Sequence, residues 1–155
     1  MNASTARALL VGLLFAVWVW VGYTARLNVS VWAGLVGIGC VFAAGGGVPG
    51  LQKALFGTLS GVVWVLLADA VRVAIGGTSI VVALVWGAMA CGMMFQARLP
   101  FLSFTAGAFA GAGVARLLGA NTVNEGIRVG IALAVGAVLA FVAERVAGAI
   151  AARRA

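Results

Sequence analysis

Apolar residues run through this chain in long unbroken stretches, and polar residues occur mainly where one stretch stops and the next begins. Continuous runs without alternation predict helices rather than the strands of a membrane barrel. Six runs stand out: residues 9–24, 29–44, 51–75, 78–96, 101–118 and 127–150. The strongest punctuation is Gly45-Gly46-Gly47-Val48-Pro49-Gly50, because proline and glycine together stop a helix and turn the backbone. Gly76-Gly77 closes the third run, Arg98 and Pro100 close the fourth, and a polar stretch from Gly119 to Glu125 separates the fifth from the sixth. The first run, entered after Arg7, also has the outline of a signal peptide. Val21-Gly22-Tyr23-Thr24-Ala25 supplies no convincing cleavage site, so an uncleaved helix is expected. The second run is short for a crossing, and an interfacial or re-entrant segment is the competing expectation there.

Composition turns these helices into membrane spans. Of the 155 residues, 65% are hydrophobic and 8% charged, whereas a soluble domain carries about 45–50% and about 25%. A crossing takes about 20 apolar residues, so six of them leave no room for a separate soluble domain. The expected fold is all-α: a single integral membrane domain over residues 1–155, a polytopic bundle of about six transmembrane helices. The net charge of +7 comes from 10 Lys and Arg against 3 Asp and Glu. These cations sit singly between apolar runs, as helix-flanking anchors do, and not in the patch or stripe that nucleic acid requires. No nucleic-acid partner is expected, and membrane lipid is the surrounding partner. Arg7, Lys53, Arg98, Arg145, Arg153 and Arg154 fall on one side, and Arg26, Arg72, Arg116 and Arg128 on the other. The positive-inside rule then puts both termini in the cytoplasm. Trp18, Trp20, Tyr23 and Trp32 bracket the first outer connection, where an aromatic belt belongs.

The chemistry available is sparse. There is no histidine, and Cys40 and Cys91 lie inside apolar runs without a C-x-x-C motif. No metal, cofactor or redox centre is expected, and both cysteines read as packing residues. Asp69 and Arg72 are three apart and share a helix face, so they can pair. Asp69 stands about 24 Å beyond Lys53 along a helix, which makes an interfacial ion pair the preferred reading. Glu144 and Arg145 read likewise at the inner end, and Glu125 falls in the polar loop. The middle of the membrane then holds no carboxylate or histidine relay of the kind proton-coupled carriers use. Nor does it hold a nucleophile with its base or an open metal, so an enzyme is not expected.

Neutral groups remain: Thr58, Ser60, Thr78, Ser79, Ser103 and Thr105, with three small-x-x-x-small motifs at Gly57/Gly61, Gly107/Gly111 and Gly126/Gly130. Such residues let helix backbones approach closely within or between protomers. The sharper reading is a narrow path for a small neutral or weakly charged solute, lined by hydroxyls and exposed backbone. Its candidate residues are Gly57, Ser60, Gly61, Trp64, Ser103, Gly107 and Gly111. Trp64 and Trp86 lie near the middle of their helices, as packing residues or as a constriction.

A weak internal repetition accompanies these motifs. Ser30-Val31-Trp32-Ala33-Gly34 and Ser103-Phe104-Thr105-Ala106-Gly107 both read Ser-x-x-Ala-Gly. Lys53 precedes Gly61 as Arg128 precedes Gly136. Three helices per unit would cross in opposite senses, giving an inverted 3+3 repeat of the kind found in transporters. Chance recurrence in a chain with 23 glycines is the alternative.

Trp18-Val19-Trp20-Val21, Trp32-Ala33-Gly34, the string from Gly57 to Trp64 and the string from Leu102 to Ala112 carry a family likeness. From about Val11 to Phe141 the chain resembles the YcdZ-like family of small bacterial inner-membrane proteins, a domain of unknown function. Ser60-Gly61-Val62-Val63-Trp64 is the most specific part of the likeness. The resemblance implies a compact helical bundle in a bacterial inner membrane and assigns no activity or site. Thr105 and Ala106 stand where that family usually has a proline. The leading functional expectation is a small-solute channel or permease. The alternative is a non-transporting membrane scaffold or accessory subunit. A chain this small encloses little alone, so a homo-oligomer is expected.

Overall fold

The computed structural model describes residues 3–25, 28–76 and 78–152. Arg26, Gly77, Arg153 and Arg154, used above as anchors or breaks, lie outside the described residues. Among the described residues six α-helices follow in order: α1 Ala3–Thr24, α2 Val31–Ala43, α3 Gly47–Ile75, α4 Ser79–Phe95, α5 Thr105–Leu117 and α6 Val123–Ala152. Two short 3-10 turns, Gln96–Arg98 and Pro100–Leu102, join α4 to α5, and no strand occurs among the described residues. Among the described residues, four stretches are long and apolar enough to cross a membrane: Ser4–Thr24, Gly47–Ile75, Ser79–Arg98 and Val123–Ala152. α2 and α5 have 13 residues each. At 1.5 Å per residue each reaches about 20 Å, short of a hydrocarbon core of about 30 Å.

The helix ends depart from the sequence expectation for local reasons. α3 begins inside the glycine–proline string, because proline in a first turn removes only an N–H that has no helical partner. Gly45, Gly46 and Gly47 have φ of 99°, 70° and 63°, a backbone region that favours glycine. The turn thus contracts to the residues just before Gly47. α6 begins four residues before the expected Ile127. Glu125 Oε2 accepts the backbone N–H groups of Asn121 and Thr122 at 2.9 Å, and Thr122 Oγ1 accepts that of Glu125 at 3.3 Å. This Thr-x-x-Glu capping box places Glu125 in the first turn of α6, not in a loop. α5 is shorter than expected, because Phe101 and Leu102 belong to the second 3-10 turn. Ser103 precedes the helix, and its Oγ donates to the Pro100 carbonyl at 2.9 Å.

Helices α2, α3, α5 and α6 form the centre. α1 lies along α6, and α4 lies along α3. Only 11% of the α1 span and 6% of the α4 span are buried. The core is made largely of alanine and glycine. Its largest fully buried side chains are Met93, Leu133, Val41, Val65 and Thr58. Small side chains let backbones touch, which is how helices associate where lipid tails are as apolar as leucine.

Two central contacts are built alike. On α3, the Cβ direction of Gly61 points at the Ala108 carbonyl of α5; on α6, that of Gly136 points at the Gly34 carbonyl of α2. Gly111 of α5 points at the Thr58 carbonyl, and Gly37 of α2 points at the Leu133 carbonyl. These contacts set Gly34 against Ala108 and Gly37 against Gly111. That is one residue out of step with the Ser-x-x-Ala-Gly correspondence read from sequence.

Candidate functional site

Charge gathers at the end of the bundle where α3 and α5 finish. Asp69 sits six residues before the end of α3 and is 3% exposed. Its Oδ1 accepts from Arg72 Nε at 3.0 Å, one turn further along the same helix. Its Oδ2 accepts from Arg116 Nη1 at 3.0 Å, from the last turn of α5. Arg116 also donates to Asn121 Oδ1 at 3.0 Å, and its guanidinium carbon lies 5.1 Å from the Trp86 ring centroid on α4. One carboxylate thus meets two guanidinium groups from α3 and α5. A buried carboxylate is tolerated when it is paired and hydrogen-bonded in this way. The arrangement ties together the ends of α3 and α5, the start of α6 and the middle of α4.

The opposite end carries a smaller counterpart. Glu144 Oε2 accepts the backbone N–H of Gly47 at 2.6 Å. Its Oε1 lies 3.7 Å from Arg7 Nη2. A carboxylate eight residues before the end of α6 therefore satisfies a free N–H at the start of α3, where the helix dipole favours negative charge. Arg145 instead covers the ring of Phe141, 5.0 Å from its centroid.

Between the ends lies one polar chain. Trp64 Nε1 donates to Gln96 Oε1 at 2.8 Å, Gln96 Nε2 donates to Ser60 Oγ at 3.0 Å, and Ser60 Oγ donates to the Gly57 carbonyl at 2.7 Å. Trp64 also lies over Gly92, whose missing side chain leaves room for the ring. Gln96, just past the end of α4, thus fastens that helix to α3. Thr58 is buried and returns its hydroxyl to its own helix, at 2.8 Å from the Ala54 carbonyl.

The sequence-based path residues fall into two groups. Gly57, Gly61, Gly107 and Gly111 lie in the α3–α5 contact. Gly57 faces the Phe104 carbonyl at 2.8 Å and Gly107 at 3.5 Å, measured from where a Cβ would stand. Gly57, Gly61 and Gly111 meet backbone of the facing helix, and Gly107 meets the Phe104 ring. Ser60 and Trp64 belong to the polar chain, and Ser103 lies outside it, just past the second 3-10 turn. Three residues with clear roles escaped the sequence reading: Arg116, Gln96 and Glu144 as a cap. Each acts across a long sequence separation, which spacing along one helix does not reveal.

Cavities border the bundle among the described residues. One of about 460 Å³ lies between α3 and α4 and is lined by apolar side chains from Trp64 and Met89 to Ile75 and Val81. Another of about 440 Å³ follows the α3–α6 groove beside Gly126 and Gly130. Two more polar hollows, of about 410 and 570 Å³, flank the start of α2 around Asn28 and Ser30, the first bordered by Glu125 and Arg128. Among the described residues no group of three His, Cys, Asp or Glu side chains converges as a metal site would require.

An all-α bundle with four spans long enough to cross, held together by glycine and alanine, is an integral membrane protein. Residues 8–148 match the family described as protein of unknown function (DUF1097), and the chain belongs to that family. The inner membrane protein YcdZ of Escherichia coli (strain K12) is 34% identical over 113 residues, covering 72% of this chain and 68% of that protein. No solved structure matches.

Proposed function

We propose that this protein is a permease for a small neutral or weakly charged solute, acting as a homo-oligomer in the bacterial inner membrane with both termini in the cytoplasm. The observation that carries the reading is the matched packing of two halves. The pair Gly61 and Ala108 corresponds to Gly136 and Gly34, and the pair Gly111 and Thr58 corresponds to Gly37 and Leu133. Helices α1–α3 and α4–α6 each follow a long, short, long order, and this order supports reading the second set as an inverted copy of the first. Inverted halves of this kind suit a carrier that exposes its solute alternately to the two sides. The filled α3–α5 contact favours such a carrier over an open channel. Homo-oligomer formation finds support on the two outer helices. Ala8, Gly12 and Ala16 are exposed on α1, and Ala83, Gly87 and Cys91 are exposed on α4. Both sets have the spacing that brings membrane helices into contact.

The second reading is a non-transporting scaffold or accessory subunit, and the closed glycine contacts favour it. Flux separates the two. Purified protein in liposomes is expected to pass at least one of urea, glycerol, ammonium or a small anion faster than protein-free liposomes. No acceleration for any of them, from protein that remains folded and oligomeric, would overturn the permease reading in favour of the scaffold.

A further inference from the structure

We propose that the crevice between α3 and α4 is a binding site for one anionic phospholipid, with an acyl chain in the crevice and the phosphate at Arg72 and Arg116. The proposal does not depend on solute transport. The crevice is lined by Trp64, Val71 and Ile75 of α3 and by Val81, Leu84 and Met89 of α4, among other apolar residues. From Trp64 to Ile75 it follows α3 for about 16 Å. Half of a hydrocarbon core of about 30 Å is about 15 Å, the depth of one leaflet. It reaches its outer limit where α3 ends and α4 begins, which is the end of the bundle that carries the charged cluster.

Charge completes the argument. Asp69 neutralises only one of its two arginines. Arg72 engages it through Nε and Arg116 through Nη1. Each guanidinium has five N–H donors, and the two side chains are 34% and 48% exposed. Donors therefore remain for an outside acceptor. The cation of Arg116 rests on Trp86 of α4, so it stands beside the helix that forms the crevice wall. The remaining acid nearby, Glu125, is turned to the Asn121 and Thr122 backbone at the start of α6, where Arg128 also lies. The balance at this end is thus cationic. Arginine pairs with phosphate through two parallel hydrogen bonds. A zwitterionic lipid offers the same chains and the same phosphate, but its own cation opposes the two arginines.

The test uses the full chain purified in detergent. Phosphatidylglycerol, phosphatidylcholine and soluble glycerophosphate are added in turn, and retained molecules are counted by native mass spectrometry. One phosphatidylglycerol per chain is expected, in preference to phosphatidylcholine. Arg72→Gln, which keeps the Asp69–Arg116 pair, should weaken that retention about tenfold, the effect of losing one charge-assisted contact. Ala88→Trp fills the crevice without touching the charged cluster, and it should remove retention as well. Equal retention of the two lipids by the unaltered chain would overturn the proposal, whatever the variants do. So would glycerophosphate competing as well as the whole lipid, which would leave an ion site without a chain. Lipid-free protein whose α3–α4 crevice crosslinks to a second copy would assign the surface to an interface between chains.

Discussion

Asp69 on α3 and Arg116 on α5 are 47 residues apart in sequence and meet at 3.0 Å. Removing Arg116 takes one of two guanidinium partners from the carboxylate, whose side chain is 4% exposed, and leaves Arg72 as the other. Arg116→Gln is expected to lower the unfolding free energy by about 1–3 kcal/mol, toward the lower end because the guanidinium is half solvated. Asp69→Asn should cost a similar amount. The double variant should cost less than the sum, by more than about 0.5 kcal/mol. Denaturant unfolding in detergent, followed by helical circular dichroism, measures all three. Strict additivity would mean the two groups do not stabilise one another.

Glycine has two kinds of position in this bundle, and they should respond oppositely to alanine. At Gly61 and Gly136 a methyl group would run into the carbonyls of Ala108 and Gly34, which are backbone and cannot swing aside. Gly61→Ala and Gly136→Ala are therefore expected to destabilise by about 1–3 kcal/mol. Gly113, on the same helix as Ala108, has nothing near its Cβ direction. There alanine should be neutral or stabilising by up to about 1 kcal/mol, as in an exposed helix. Thermal unfolding of the three variants side by side decides the matter. Leucine at Gly61 or Gly107 would overfill the same contact, so such variants report on folding before they report on flux.

Gln96 is expected to hold α4 against α3. Replacing it with alanine leaves Trp64 Nε1 without its acceptor and Ser60 Oγ without a donor. The loss should be about 1–2 kcal/mol. Amide hydrogen exchange should rise along α4 more than along α6, because α4 has few other neighbours. Uniform exchange across both helices would show that α4 is fastened elsewhere.

The helices were legible in the sequence because the bilayer demands continuous apolar runs, and this chain supplies them with little else. The length of α5 was not, since Phe101 and Leu102 look like helix but are diverted into a 3-10 turn behind Pro100. The start of α6 carried a readable signal in Thr122 and Glu125, a capping box that the apolar pattern alone passes over. The Asp69–Arg72 pair followed from spacing along one helix, whereas Arg116 comes from another helix altogether. Gly57, Gly61, Gly107 and Gly111 were visible as close-approach residues. Their spacing could not say whether the approaching partner was another helix or a solute, and within the chain it is the backbone of α3 against α5.

The start of α3 offers a last separation of two effects. Glu144 both accepts the Gly47 N–H at 2.6 Å and faces Arg7 at 3.7 Å. The first contact is a charged cap at a helix N-terminus, worth about 1 kcal/mol or somewhat more. The second is a long, partly solvated ion pair, worth about 0–1 kcal/mol. Arg7→Ala should therefore change stability little, while Glu144→Ala should cost about 1–2 kcal/mol. Glu144→Gln keeps an acceptor for Gly47 and loses the charge, so it should fall between them. If Arg7→Ala matched Glu144→Ala in unfolding measurements, the ion pair and not the cap would be what Glu144 contributes.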